Sequence, residues 1–384
     1  MKEIPFHRPP IGEEEIASVV ETLRAGWLTM GPKTLQFERE FAGYLGVPEA
    51  VSVNSCTAAM HLALAGMGLK EGDEVLVPDS TFAATAEVVT YFRARPVVVD
   101  VGAEDLLMDP EAAERAVTPR TRAMIPVHHS GQPCNMDALQ DLALRRHLHI
   151  IEDAAHAFPA AYKGKRIGTL GSLTCFSFYA TKTLTTGEGG MVTLFDREKA
   201  RRIRILRLHG IDKDAWKRYT KEGFWYYEVV EAGYKYNLTD PQAALGLVQL
   251  KRADALHRER QRIASAYRSG FAGLEGVKPL RLHPERGHAW HLFIILLDLE
   301  RLVIGRDAFI RELAQRGIGT SVHFIPLHRH PYYRDTFGLS ASAFPGCEGA
   351  FQRQISLPIY PDMTREDVDY VIDNVRDVLE THKR

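Results

Sequence analysis

Cysteine is scarce in this sequence. Cys56, Cys134, Cys175 and Cys347 stand far apart and no two form a CxxC pair, which excludes a zinc ribbon and a disulfide framework and leaves a reduced protein as the expectation. An excess of either charge is missing too. With 48 basic against 49 acidic residues and a net charge of −1, the chain has no global field for gripping nucleic acid or an anionic membrane. The basic runs Arg201-Arg202-Ile203-Arg204 and Arg258-Glu259-Arg260-Gln261-Arg262 read as solvated helix faces. The opening MKEIPFHRPP lacks an apolar signal core, and no run reaches the roughly 18 apolar residues of a membrane span, so the cytoplasm is the expected location. No GxxxxGK[ST] occurs, which argues against a nucleoside-triphosphate loop, and there is neither an internal repeat nor a low-complexity tract.

What is present is ample core material, 45% hydrophobic against 25% charged residues, in a chain long enough for two or three structural units. Ile16, Val19, Val20 and Leu23 recur at helical spacing, and Phe37, Phe41 and Tyr44 begin a second helix that Gly46 stops. From Ala50 the pattern alternates. Short strands are expected at 51–53, 74–78, 96–100, 124–128 and 149–152, with helices at 56–67, 83–92 and 136–148. Such alternation predicts a mostly parallel sheet covered by helices on both faces, with ligands beyond the carboxyl ends of its strands. The aromatic-rich segment 210–234, with Trp216, Tyr219, Phe224, Trp225, Tyr226 and Tyr227, has no clean period and reads as a flap or subunit-contact arm. Thr239-Asp240-Pro241 then caps a long helix to about Phe271. A strand at 289–298, a helix at 306–315, a strand near 320–324 and a last helix opening at Thr364 complete a small α+β domain. The division is 1–245 for the large domain and 246–384 for the linking helix and small domain.

The chemistry centres on GSLTCFSFYATKTLTTGEGGMV, where Lys182 lies between two apolar strands, 173–178 and 190–195. A lysine lodged in a core has its pKa lowered toward the neutral amine, a nucleophile for carbonyls; the plain alternative is a lysine on a hairpin tip. Asp153 emerges from the strand in IIEDAAHA and either caps a helix or pairs with a cation, for which a pyridinium nitrogen is suited. Ser55-Cys56-Thr57 opens a helix, as a plain N-cap or as a phosphate seat. Phe82 sits after another strand end, as core or as a wall for a flat ring. Gly187-Glu188-Gly189-Gly190 reads as a tight turn bringing backbone close to a ligand. Ser177 is within reach of a phosphate oxygen. A lysine, a strand-end aspartate, a phosphate-grade helix start and an aromatic wall, after successive strands of one sheet, are together the parts of a pyridoxal phosphate site.

Over nearly its whole length the sequence resembles the DegT/DnrJ/EryC1/StrS sugar aminotransferases. The motifs run from GWLTMGPKTLQFEREF through NSCTAAMHLAL, GDEVLVPDSTFAATA, PVHHSGQPCNMDAL, IIEDAAHA and FSFYATKTLTTGEGG to YKYNLTDPQAALGLVQL and SLPIYPDMT. GYKYNLTD, HAWHLFII and RGIGTSVHF look most like members that aminate a UDP-4-keto pentose for lipid A. The resemblance implies a fold-type I enzyme whose large domain holds a mostly parallel seven-stranded mixed sheet between helices. It implies Lys182 as the Schiff-base lysine, Asp153 on the pyridine nitrogen and His156 near the ring's phenolic oxygen. It implies Phe82 on the ring face, and Cys56, Thr57 and Ser177 on the phosphate. Asn237 would reach the phosphate of a neighbouring subunit, making the enzyme a homodimer with shared sites. His323 would face the substrate, as would His209 and the flap after it. Glutamate is the implied donor and a nucleotide-linked 4-keto sugar the acceptor, with UDP-, dTDP- and GDP-sugars all open. The family's dehydratases carry histidine in place of the lysine, so Lys182 argues against that branch; a lyase or dehydratase using the same cofactor remains the alternative.

Overall fold

The computed structural model describes residues 2–171, 173–212 and 226–384. In chain order the helices and strands are α1 Glu13–Ala25, α2 Pro32–Leu45, β1 Glu49–Val53, α3 Cys56–Met67, β2 Glu74–Pro78, α4 Ala84–Thr90, β3 Arg95–Val99, α5 Pro110–Ala116 and β4 Thr121–Met124. There follow α6 Met136–Arg146, β5 His149–Asp153, β6 Ala161–Tyr162, β7 Lys165–Arg166, β8 Leu173–Ser177, β9 Gly190–Leu194, α7 Arg197–Leu206 and α8 Asp240–Phe271. The remainder comprises β10 Val277–Pro279, β11 Arg286–Gly287, β12 Phe293–Leu297, α9 Arg306–Gln315, α10 Pro331–Phe337, α11 Pro345–Phe351, β13 Gln354–Leu357 and α12 Arg365–Thr381.

Seven strands form the large sheet in the order β1-β9-β8-β5-β4-β2-β3. Neighbours from β8 to β3 run parallel, while β9 is antiparallel to both β8 and β1, giving the mixed, mostly parallel sheet expected of the alternating pattern. Its strands are buried on both faces, the reason they read as continuous Val, Ile and Leu runs. One face carries an aromatic cluster of Phe37, Phe41, Phe158, Phe176 and Phe178. The other packs against α3, whose Leu62, Leu64 and Met60 are fully buried. Asp240, the first residue of α8, turns back to accept the Gly31 and Thr34 N–H groups at 2.8 and 2.9 Å, so one carboxylate caps the start of α2.

The smaller C-terminal sheet is β10-β12-β13, covered by α8, α9 and α12. The capping box read at Thr364 and Asp367 is formed. Ile4 belongs to this second core and bridges to Ile318, so the first residues of the chain pack on its last third.

Two readings need correction. Residues 320–324 form no strand: Ser321 makes a single bridge to Ser356 and the backbone then turns into the cleft. Arg260 does not lie on a solvated face. It is fully buried, and its Nη1 donates to the carbonyls of Trp290 and Ile359 at 3.1 and 2.8 Å; its charged or polar, exposed neighbours Arg258, Glu259, Gln261 and Arg262 gave no sign of this. The helix read from Ile16, Val19, Val20 and Leu23 is formed as α1, and it meets α8 through its polar side. Ser18 Oγ donates to Ala244 O and Glu15 meets Gln249 and Arg252 of α8, while Ile16 and Leu23 stand 48% and 52% exposed. Of the segment 210–234, residues 213–225, and with them Trp216, Tyr219, Phe224 and Trp225, lie outside the described residues.

Candidate active site

A cleft of about 470 Å³ opens at the carboxyl ends of the parallel strands, where an open α/β sheet places its ligands. Ser55, Cys56, Thr57, Phe82, Asp153, His156, Ser177, Lys182 and His323 all line it. A roomier hollow of about 580 Å³ at the amino ends of β5 and β8 gathers no comparable set.

Lys182 is set by the return loop between β8 and β9. Phe178 N–H donates to Gly189 O at 2.8 Å, Thr186 N–H to Phe178 O at 2.9 Å, and Lys182 N–H to Tyr179 O at 2.9 Å, so the loop is stitched across its own width. The side chain is half-buried, its amine toward the cleft. Desolvation outweighs the nearby Cys56 and Asp153 and brings its pKa down to about 8. This is no lysine on a solvated hairpin tip.

Asp153, the last residue of β5, is buried. Its Oδ1 accepts the Ala155 N–H at 3.1 Å and its Oδ2 the Thr85 hydroxyl at 2.9 Å. Burial nevertheless pushes the carboxyl above its usual range, against the pull of those bonds and of Lys182. It caps no helix, so the carboxylate is left short of a full cationic partner.

At the start of α3, Ser55 Oγ accepts the Ala58 N–H at 3.1 Å, leaving the N–H groups of Cys56 and Thr57 at the helix mouth. The approach is close because residue 190 is glycine: a Cβ there would meet Ser55 C and O at 2.5 Å. Ser177 Oγ accepts the Tyr179 N–H at 3.3 Å and keeps its own proton to give. Phe82 is 62% exposed, so the core reading fails and its ring is open to the cleft; Phe324 faces it across 6.0 Å. A flat ring with a basic nitrogen at one end and a phosphate at the other therefore meets matching groups: a buried carboxylate, helix-mouth donors with a hydroxyl, and an aromatic face.

His156 accepts the Ser130 N–H on Nδ1 at 3.3 Å, which places its proton on Nε2. Its ring lies between Phe324 at 5.5 Å and His291 at 4.3 Å. His323 Nδ1 is 3.0 Å from Ser356 Oγ and its ring stacks on Phe6 at 5.4 Å. Burial drives His156 and His291 well below the usual histidine range and His323 to about 4, with the Lys182 charge adding to each. The segment carrying His323 is pinned by Asp79 after β2, which takes the His328 N–H at 3.0 Å and its ring Nδ1 at 2.6 Å.

Two expected residues stand apart. Asn237 does not line this chain's cleft; its Nδ2 donates to Leu238 O and its Oδ1 accepts from Lys235. His209 is exposed, in left-handed conformation, with its N–H on Tyr234 O. The sequence reading passed over Thr85, Phe324 and His291. Thr85 and Phe324 carry no signal without the fold, whereas the two histidines flanking Trp290 in an otherwise apolar stretch, HAWHLFII, offered one.

Fold and cleft define an enzyme, a pyridoxal phosphate-dependent aminotransferase of fold type I. The model of the DegT/DnrJ/EryC1/StrS aminotransferase family matches residues 9–376, and the chain belongs to that family. SpsC of Bacillus subtilis, a spore coat polysaccharide biosynthesis protein, is 48% identical, covering 98% of this chain and 97% of SpsC. Among solved structures, Spr1654 of Streptococcus pneumoniae in its PMP form superposes with a TM-score of 0.93 at 37% identity, over 99% of this chain and all of that one; it is also solved in a PLP form. CalS13 of Micromonospora echinospora, a sugar aminotransferase, gives a TM-score of 0.86 at 30% identity over 97% and 99%. The chain is thus a sugar aminotransferase. No helix among the described residues is long and apolar enough to cross a membrane.

Proposed function

We propose that this enzyme moves an amino group from glutamate to a nucleotide-linked 4-keto sugar, a UDP-4-keto pentose or hexose first, for surface polysaccharide, lipid A or aminosugar synthesis in the cytoplasm. The observation that carries the reading is the pairing in one cleft of an amine with pKa about 8 and a fixed, buried carboxylate. When bound, pyridoxal phosphate supplies an electron sink for the donor's Cα electrons. Lys182, its pKa lowered to about 8, would hold the cofactor covalently and, when free, would take the donor's Cα proton on Nζ and return it. Asp153 would accept the ring N–H and hold its positive charge, His156 Nε2–H would donate to the ring oxygen, and Phe82 would cover the ring face. Cys56, Thr57 and Ser177 would hold the phosphate, and His323, with His209 beside the flap, would face the sugar.

The working unit in this reading is a homodimer. The outward apolar stripe of α1 supports it, since a monomer gains nothing by presenting Ile16 and Leu23 to water, and so does Asn237, which lies outside its own chain's cleft and would serve the partner's. We divide the chain at 1–245 and 246–384; the large core reaches on along α8 to Leu247, Leu250 and Ala253, while the small domain's own core takes up α8 from Ile263 and includes Ile4.

The test is a panel of UDP-, dTDP- and GDP-4-keto sugars with glutamate, following 2-oxoglutarate and amino sugar together. Equimolar formation of both with at least one sugar is expected; ammonia or water loss without a stoichiometric donor would establish the lyase or dehydratase instead. Lys182→Ala should lose the absorbance of the lysine-bound cofactor and at least ~10³-fold in turnover.

A further inference from the structure

We propose that His291 positions the sugar, donating a hydrogen bond from its ring to a hydroxyl or carbonyl oxygen of the acceptor; the inference rests on the function proposed above. His291 is 6% exposed, lines the cleft and presses against His156 at 4.3 Å with the rings tilted by 43°. Its Nδ1 is buried without a hydrogen-bond partner. A buried N–H left unpaired is rarer than an acceptor left unpaired, so the ring proton belongs on Nε2, where it is available to a ligand.

The backbone around it is built to hold that ring in place. Trp290, a bulky residue, adopts a left-handed φ of 54°. Its N–H donates to His288 Nδ1 at 2.8 Å and its carbonyl accepts from Arg260 at 3.1 Å. On either side, Ala289 N–H donates to Gly131 O at 2.9 Å and Leu292 N–H to Ser130 O at 3.1 Å. Gly131 is required there, because a Cβ would come within 3.0 Å of Trp290 N. A strained residue clamped from three directions, immediately before a ring whose Nδ1 has no hydrogen-bond partner among the described residues, is the pattern of a functional site rather than of a packing accident.

The chemistry of the wall selects the substrate half. His156, His291 and His323 stand uncharged beside Phe324, and the Arg260 guanidinium behind them is turned to two main-chain carbonyls. A carboxylate seeks a formal positive charge, whereas a polyol seeks neutral donors and acceptors with an apolar face between them. The wall therefore suits the sugar.

The two half-reactions separate by cofactor absorbance: glutamate removes the band of the lysine-bound form and the keto sugar restores it. In holoenzyme carrying His291→Phe, the sugar half should slow, or need more sugar for half-saturation, by about 10-fold, the worth of one hydrogen bond, while the glutamate half stays within twofold. His291→Gln, which keeps a donor, should recover to within threefold of wild type. Should the phenylalanine variant fail to fold or to hold cofactor, His291→Leu carries the same comparison with the glutamine variant. Equal losses in both halves, or none in either, would overturn the assignment. A wild-type enzyme that takes nitrogen from glutamate and returns it to no keto sugar sinks the proposed function and this inference together; a competent wild type with indifferent variants sinks the inference alone.

Discussion

The hydroxyl of Thr85 donates to Asp153 across 2.9 Å, and Thr81 Oγ1 lies 2.7 Å from the same hydroxyl. This chain of two threonines fixes the plane of a buried carboxylate that forms no salt bridge among the described residues. Orientation is settled before any ligand arrives, and the electrostatic cost is offset when a protonated ring nitrogen is placed against it.

Asp153→Asn keeps the shape and removes the charge. Turnover should fall ~10²–10³-fold, the usual scale for a preorganised electrostatic partner. The cofactor-free variant should melt no lower than cofactor-free wild type, because a poorly compensated buried charge is gone, and its gain in melting temperature on adding cofactor should shrink. Activity within threefold of wild type would remove Asp153 from this role.

Lys182 gives two pH signatures. The rate at which cofactor-free protein acquires the cofactor should rise with pH through a midpoint near 8, rather than near the 10.5 of an ordinary lysine. Between those values the unfolded chain binds a proton that the folded chain does not, so the contribution of this group to stability increases with pH across the window. Denaturant melts of cofactor-free wild type and Lys182→Met at pH 8 and 10 check the sign: the wild type should gain relative to the variant.

Phe82→Ala should weaken cofactor binding by up to ~10-fold, matching the ~0.5–1.5 kcal/mol of an aromatic stack. Because the ring is mostly exposed, melting of the cofactor-free protein should change by less than ~0.5 kcal/mol. Equilibrium titration beside a denaturant melt separates the two effects; a large loss of stability with unchanged affinity would return Phe82 to the core.

Much of this was legible beforehand. Buried parallel strands and their connecting helices announce themselves through Val-rich runs and caps, and Lys182, Asp153 and Ser55 stand out because polar groups beside such runs need a reason. What stayed hidden depends on packing between distant segments. Arg260 looks like its exposed neighbours, since nothing local says that Trp290 and Ile359 will bring their carbonyls to it. Periodicity at Ile16, Val19, Val20 and Leu23 fixes a helix but not which side meets α8, and Glu15 and Ser18 took that side. Residues 320–324 have strand composition, yet only Ser321 finds a pairing partner.

Ile16→Glu combined with Leu23→Glu probes that outward stripe. Sedimentation should show wild type as a dimer and the double variant shifted toward monomer, with activity falling in parallel as concentration is lowered. Helix content and melting of each chain should hold, since both positions face solvent within the protomer. An unchanged dimer would place the interface elsewhere.

Reversal of β9 has a mechanical result. Because it returns beside β8 and is itself flanked by β1, both ends of the lysine's loop are moored to the interior of the sheet, and swinging the amine aside would mean unzipping central strands. The reactive nitrogen is thus a fixed anvil, to which donor and sugar must each be brought.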